Sequence, residues 1–299
     1  MRHISVTALA AAGLLGLSAA ASAAGLFAEP SLKQTMGSGG YEATSASVDI
    51  GTDAFHARPQ FDAYHSNTSS GTFKTWSLRL AYDTDGEYSF TGTIGGSPEN
   101  DGYSRRYFGV TVDRSIDFVA AASTAAGSGV DGLDLSAGFT HTAHTDQYQL
   151  ATVKGRRVVV RRVNELDVEE SDLTGSATVR AGDDRVSLDV LKAVYNKDLG
   201  SLSARAAPVA QLSGLLSTVS GFPNLNAALR VQTDRWDGVS PYLSYTYTSY
   251  AVAQPVSQAF AVGTVVHLGV ELDAAYQRFS QRTAADINYY SLQGSYRFR

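Results

Sequence analysis

Tyr289-Tyr290-Ser291-Leu292-Gln293-Gly294-Ser295-Tyr296-Arg297-Phe298-Arg299 is the stretch on which the reading of the whole chain turns. Tyr290, Leu292, Gly294, Tyr296 and Phe298 share one parity; Tyr289, Ser291, Gln293, Ser295 and Arg297 share the other. A strand sends successive side chains to opposite faces, so the segment predicts a strand with one apolar, aromatic-rich face and one polar face. That pattern serves a soluble sheet with one face on a protein core. It serves equally a membrane barrel with one face on lipid.

The opposite end of the chain bears on the choice. Met1-Arg2-His3 is a short basic region, Val6 to Leu17 is apolar, and Ala21-Ser22-Ala23 fits a small-x-small cleavage site. Residues 1–23 therefore read as a secretory signal peptide, with a mature start at Ala24. Their apolar core is too short for a spanning helix. The chain has no cysteine, which excludes a lipoprotein anchor, a disulfide framework and thiol chemistry. With 24 Lys and Arg against 29 Asp and Glu the net charge is −5, and loss of Arg2 makes the mature chain more acidic by one. Such a balance argues against nucleic acid as a partner. No later apolar run has helix-spanning length, so a membrane crossing requires strands of about 10 residues each.

At the end of an exported, cysteine-free chain, the 289–299 segment resembles the closing strand of Gram-negative outer-membrane β-barrels. That strand typically ends in an aromatic, usually Phe; here Phe298 is penultimate and Arg299 follows.

Period-two alternation recurs from residue 54 onward. Phe55, Ala57, Phe61 and Ala63 oppose His56, Arg58, Gln60 and Asp62; Trp76, Leu78, Leu80 and Tyr82 oppose Thr75, Ser77 and Arg79. The pattern continues through Tyr88–Ile94, Phe108–Val112, Ile116–Ala122 and Leu133–Thr140, and returns in Leu225–Gln232, Val239–Tyr247, Phe260–Leu268 and Val270–Gln277. Between them lie weaker candidates at 148–153, 158–164, 173–181, 185–191 and 201–209. Residues 24–53 alternate poorly and read as an extension, a plug or the first strands. The 210–224 stretch is a second candidate constriction. Pro59 and Pro241 fall inside assigned strands, where each removes a ladder donor, so they mark strand ends or bulges. The basic run Arg156–Arg162 and the acidic run Glu165–Asp172 fit no clean strand and read as loop or strand end.

Short turns at Asp83–Gly86, Asp113–Ser115, Asp234–Gly238 and Leu268-Gly269 belong on one side of a barrel, the periplasmic one. This requires an odd number of strands between residues 141 and 225 and gives about sixteen in all, within a range of fourteen to eighteen. The polar parity is rich in Ser, Thr and Gly and poor in Lys, and aromatics gather near strand ends, as an interfacial girdle requires. The fold expectation is thus all-β: a transmembrane antiparallel up-and-down barrel over residues 24–299.

On this reading Arg58, Asp62, Arg79, Glu87, Asp134, Arg230, Glu271, Asp273 and Arg297 line the lumen, where such charges set ion preference or pair and seal the bore. Tyr82, Tyr88, Tyr247, Tyr290 and Phe298 mark the membrane interfaces. The resemblance implies a porin-like channel for passive diffusion of ions or small hydrophilic solutes in the Gram-negative outer membrane. Its partners are outer-membrane lipids and lipopolysaccharide, the barrel-assembly machinery that reads the C-terminal strand, and possible further copies of itself. The alternative is a non-conducting structural or surface-interaction barrel, or the membrane component of an export assembly.

Signals for chemistry are weak. Tyr64-His65-Ser66-Asn67 resembles the His-x-Ser-Asn-Gly motif of outer-membrane lipid hydrolases, but its His and Ser are adjacent and point to opposite faces of a strand. His141 and His144 lack a third ligand and read as a surface pair. Glu99-Asn100-Asp101-Gly102 lacks calcium-loop spacing. The expectation is no enzyme, no metal and no cofactor.

Overall fold

The structure, a computed structural model, describes residues 26–38, 40–65, 72–84, 87–100, 103–118, 129–154, 157–199, 210–211, 218–219, 222–252, 255–282 and 285–298. The signal-peptide segment, the 201–209 candidate strand and most of the 210–224 stretch lie outside the described residues. The strands are β1 (Phe27–Gly37), β2 (Tyr41–Gly51), β3 (Phe55–His65), β4 (Phe73–Thr84), β5 (Tyr88–Asn100), β6 (Tyr103–Asp117), β7 (Gly132–Lys154), β8 (Arg157–Ala181), β9 (Asp184–Tyr195), β10 (Ala210–Gln211), β11 (Thr218–Val219), β12 (Pro223–Thr233), β13 (Val239–Tyr250), β14 (Ser257–His267), β15 (Glu271–Gln281) and β16 (Ile287–Ser295). Strands β10 and β11 pair only with each other, and the other fourteen close a barrel. All its pairings are antiparallel and join strands consecutive along the wall, with β9 meeting β12. The ring is shut by β1 against β16, from Ser31↔Ser295 to Gly37↔Tyr289.

Fourteen strands fall at the lower bound of the expected range, and the difference from sixteen has identifiable causes. Strands β1 and β2 supply two members from the poorly alternating 24–53 region. In return, Ile116 and Asp117 belong to β6, because Asp113–Ser115 continues that strand, where Asp113 pairs with Ser136 and Arg114 with Leu135; residues 119–122 lie outside the described residues. The 148–153 segment is the upper part of β7, and 158–164 with 173–181 is one strand, β8, running through the acidic stretch. Likewise Gly95–Asn100, read as loop, extends β5. Pro59 interrupts a ladder as its missing N–H demands: β2–β3 pairing stops at Ser47↔Gln60 and resumes at Ile50↔Ala57. Pro241 lies just beyond the last β12–β13 pair, Gln232↔Tyr242.

Burial decides between sandwich and barrel. The apolar parity faces outward: Val110 is 57% exposed and Leu243 64%, with Phe90, Ile94, Phe108, Leu188, Phe260 and Leu292 exposed alongside. About half of the buried positions are polar: Gln277 is 2% exposed, Asn226 3% and Thr248 3%, joined by Thr35, Asp49, Thr91, Ser244 and Thr246; the rest are mostly Ala, Val and a cluster of Tyr41, Phe279 and Tyr289. A soluble sheet buries its apolar face. This sheet does the reverse along its whole circumference, which is the surface of a transmembrane barrel.

Along β6 the outward positions are Arg106, Phe108, Val110, Val112 and Arg114. Arginines thus bound an apolar band about 26 Å long, measured along the strand at roughly 3.3 Å per residue. Tyr82, Tyr88, Tyr247 and Tyr290 also take outward positions. Tyr290 packs on Tyr276 at 5.3 Å, and the Arg114 guanidinium lies over the Tyr88 ring at 5.1 Å. Phe298 lies past the end of β16 on the same outward parity, bridged in register to Ala28 and edge-on to Tyr296 at 4.6 Å at the rim.

Two inward tyrosines lie flat against the wall because a glycine on the adjoining strand leaves room. Tyr242 of β13 crosses Gly263 of β14, where an added Cβ would sit 2.4 Å from the phenol end of the ring. Tyr107 of β6 crosses Gly95 of β5, again at 2.4 Å. These two bulky side chains therefore lie along the wall.

Candidate functional site

The inward parity assembles the lumen in tiers. At the rim that carries both β1's start and β16's end, charges pair. Asp49 takes His56 at 2.7 Å and Arg58 at 3.3 Å, and His56 also approaches Asp83 at 3.4 Å. Arg180 spans Asp117 at 2.6 Å and Asp134 at 3.2 Å, while Ser115 donates to Asp134 at 2.8 Å. In the turn after β12, the Ser240 hydroxyl foremost, with the Gln232 amide and Arg185, holds the Asp234 carboxyl below the usual carboxylate range. At the opposite end Arg278 does the same to Asp286, in the connection before β16, chiefly through its hydrogen bond.

The nine residues expected in the lumen divide by position. Arg58, Asp62, Arg79, Arg230 and Asp273 stand on strands at inward positions. Asp134 is inward but close to the rim, in the Arg180 clasp. Glu271 opens β15 and meets His267 at 3.4 Å, half exposed. Glu87 is a correction: it stands exposed in the turn ahead of β5, because the strand begins only at Tyr88. Arg297 follows the end of β16 where pairing with β1 continues as far as Phe298, so it keeps the inward parity at the rim, where it pairs with Asp53 at 3.0 Å and covers the Phe27 ring at 4.0 Å.

Midway along the bore the wall is knit by polar contacts. Arg230 stacks on Tyr242 at 3.7 Å, and Tyr242 donates to Asp273 at 2.9 Å, linking β12, β13 and β15. Arg79 donates to Thr91 at 3.2 Å. Asp62 accepts from Gln60 at 2.9 and 3.1 Å and from Thr75 at 3.0 Å, so its oxygens are largely satisfied. Beside it opens a chamber of about 140 Å³ whose lining includes Lys33, Gln60, Asp62, Tyr64, Arg105 and Tyr107. Lys33, Arg105 and Tyr64 carry no site expectation from sequence. Lys33 sits in the poorly alternating region, and Arg105 precedes the point where β6 becomes legible.

The far mouth is partly packed. His144 bridges Tyr103 at 2.7 Å and Glu170 at 2.7 Å; the single Tyr195 hydroxyl proton is shared between Glu170 at 2.9 Å and the Pro223 carbonyl at 2.6 Å. Phe222 packs edge-on against both His144 and Tyr195. Val168, Leu199 and Val252 form an apolar cluster beside them. This corrects the reading of a surface histidine pair. Three residues apart on a strand, His141 and His144 take opposite faces: His144 is buried inward, while His141 is outward against Phe108 at 5.5 Å. His65 ends β3, and Ser66, Asn67, Asp101 and Gly102 lie outside the described residues. Among the described residues no three His, Asp or Glu side chains converge as a metal site.

No family model matches the chain, and no curated protein does. Solved structures that it resembles are outer-membrane proteins. Outer-membrane expressed OmpT of Vibrio cholerae has a TM-score of 0.47 and 10% identity, over 91% of this chain and 97% of that one. The KdgM porin has a TM-score of 0.41 and 9% identity, over 91% and 99%. CdiB from Acinetobacter baumannii has a TM-score of 0.48 and 10% identity, over 91% of this chain and 60% of that one. At this distance the likeness is one of fold alone.

Proposed function

We propose that the protein is an outer-membrane channel for passive diffusion of ions or small hydrophilic solutes, without enzymatic activity. The observation that carries the proposal is the inverted wall: Ser, Thr, Asn, Gln and charged side chains inside, aliphatic and aromatic ones outside. Eight-stranded barrels are filled by their own side chains, whereas sixteen to eighteen strands leave an aqueous channel. Fourteen strands with tyrosines folded flat across glycines leave a polar bore beside the Lys33–Arg105 chamber. Outer-membrane lipids, lipopolysaccharide among them, then surround the apolar band, and both described chain ends face the periplasm.

A non-conducting barrel or export component is the second reading. It is favoured by the Val168–Leu199–Val252 packing that closes part of the far mouth. Planar-bilayer recordings of the purified protein separate the two. A channel gives stable single-channel steps; their absence across many insertions refutes it and leaves the closed barrel. An esterase assay on detergent-solubilised protein is expected to show no turnover, and turnover above the buffer rate would overturn the non-enzymatic reading.

A further inference from the structure

We infer that the chamber between β1, β2, β3, β4 and β6 is a binding site for a small hydroxylated carboxylate, a stopping point on the path that the channel reading supplies. Three observations converge. First, its charged lining is two cations, Lys33 and Arg105, against one acid, Asp62, and Asp62 already receives Gln60 and Thr75. Second, Arg105 donates its Nε to Ser97 at 3.2 Å and lies 5.7 Å from the Tyr107 ring, and no carboxylate among the described residues pairs with it. Among those residues nothing hydrogen-bonds its two terminal guanidinium nitrogens, which suit a planar anion, the geometry in which arginine binds carboxylates best. Third, the Tyr64 hydroxyl is buried and has no hydrogen-bond partner among the described residues, an unmet polar group that a ligand hydroxyl would satisfy.

Size narrows the class. An apolar cavity of about 150 Å³ takes up benzene, a molecule of six heavy atoms. A chamber of about 140 Å³ therefore suits a three-carbon hydroxy acid such as glycerate or lactate. The carboxylate sits on Arg105 with Lys33 in support, and the hydroxyls meet Tyr64, Gln60, Thr75 and Ser77.

Equilibrium dialysis of the folded, detergent-solubilised barrel with radiolabelled glycerate tests this, with glycerol as the neutral counterpart. Glycerate is expected to bind saturably and about tenfold or more tighter than glycerol, since a lost charge-assisted contact is worth about that factor. Arg105→Gln should weaken glycerate about tenfold and Tyr64→Phe about threefold, while Arg114→Gln, on the outer face of the same strand, leaves binding unchanged. Arg105→Lys, which keeps the charge but not the fork, should fall between, and the gel shift on boiling reports that each variant is folded. Equal binding of glycerol and glycerate, or wild-type binding by Arg105→Gln, overturns the site. Conductance without glycerate binding refutes the site and leaves the pore; binding without conductance does the opposite.

Discussion

Arginine at position 110 makes the most direct test of the inverted wall. Val110 is 57% exposed and lies between Gly92 and Phe139 on the neighbouring strands. Its own strand places Arg106 and Arg114 four residues away on either side, about 13 Å along the chain direction, farther than one side chain reaches. A guanidinium introduced at Val110 is thus held near the middle of the apolar band. Arginine at the midplane of a transmembrane barrel costs about 2–4 kcal/mol, a factor of roughly thirty to several hundred in the folding equilibrium. On a water-facing surface the same exchange stays within about 0.5 kcal/mol. Reversible guanidinium titration of folding into phosphatidylcholine vesicles, followed by tryptophan fluorescence, measures the difference. Val112→Arg, two residues nearer Arg114, should cost less, so the gradient with depth is a second readout. A Val110→Arg loss below about 0.5 kcal/mol, or no gradient, would refute a lipid-facing wall.

Tyr242→Phe should cost about 1 kcal/mol by removing the hydrogen bond to Asp273. In a Gly263→Ala background, where the new Cβ displaces the ring, the same change should cost almost nothing; a double-mutant cycle that comes out additive would contradict the crossing. Asp234 lies in a turn outside the wall, and its folded-state pKa is depressed, above all by Ser240. Its contribution to stability is therefore present above the unfolded carboxylate pKa of about 3.9 and is lost as pH falls through the lower folded value. Asp234→Asn should flatten the acid limb of a stability-against-pH curve, and an unchanged acid limb would remove Asp234 from the account. Boiling should shift the wild-type protein on a gel, and identical migration before and after would speak against a closed barrel.

Strand parity was legible wherever both faces are marked, as in β3, β4, β12, β13, β15 and β16. It failed where the membrane does not enforce it. Outward positions of β1 and β2 include Gln34 and Thr44, which bond each other at 2.6 Å, so the apolar stripe of these strands is interrupted. Near the rims water bathes both faces, and Asp113 and Ser115 read as turn residues although they continue a ladder. The same cause hid the length of β8, whose Asp167 and Glu169 are exposed. The chamber was less legible than the wall. Arg105 and Lys33 sit in segments with weak alternation, and their meeting with Tyr64 depends on which strands adjoin around the ring. One clue was present for Tyr107: a large side chain on the polar parity, with Gly95 on the strand before it. The Glu87 assignment failed by extending a face into the turn ahead of its strand.

One pairing in the wall differs in kind from the other thirteen. Every other ladder joins strands that follow one another along the barrel portion of the chain, most of them linked by short connections, and each can zip up from its own hairpin. The β1–β16 seam joins opposite ends of the chain and is short. It carries the largest single loop-closure cost in the ring. Changes in that seam should slow the sealing of the ring, whereas equal damage to the long β7–β8 hairpin, formed before sealing, should leave the rate of that step nearly unchanged.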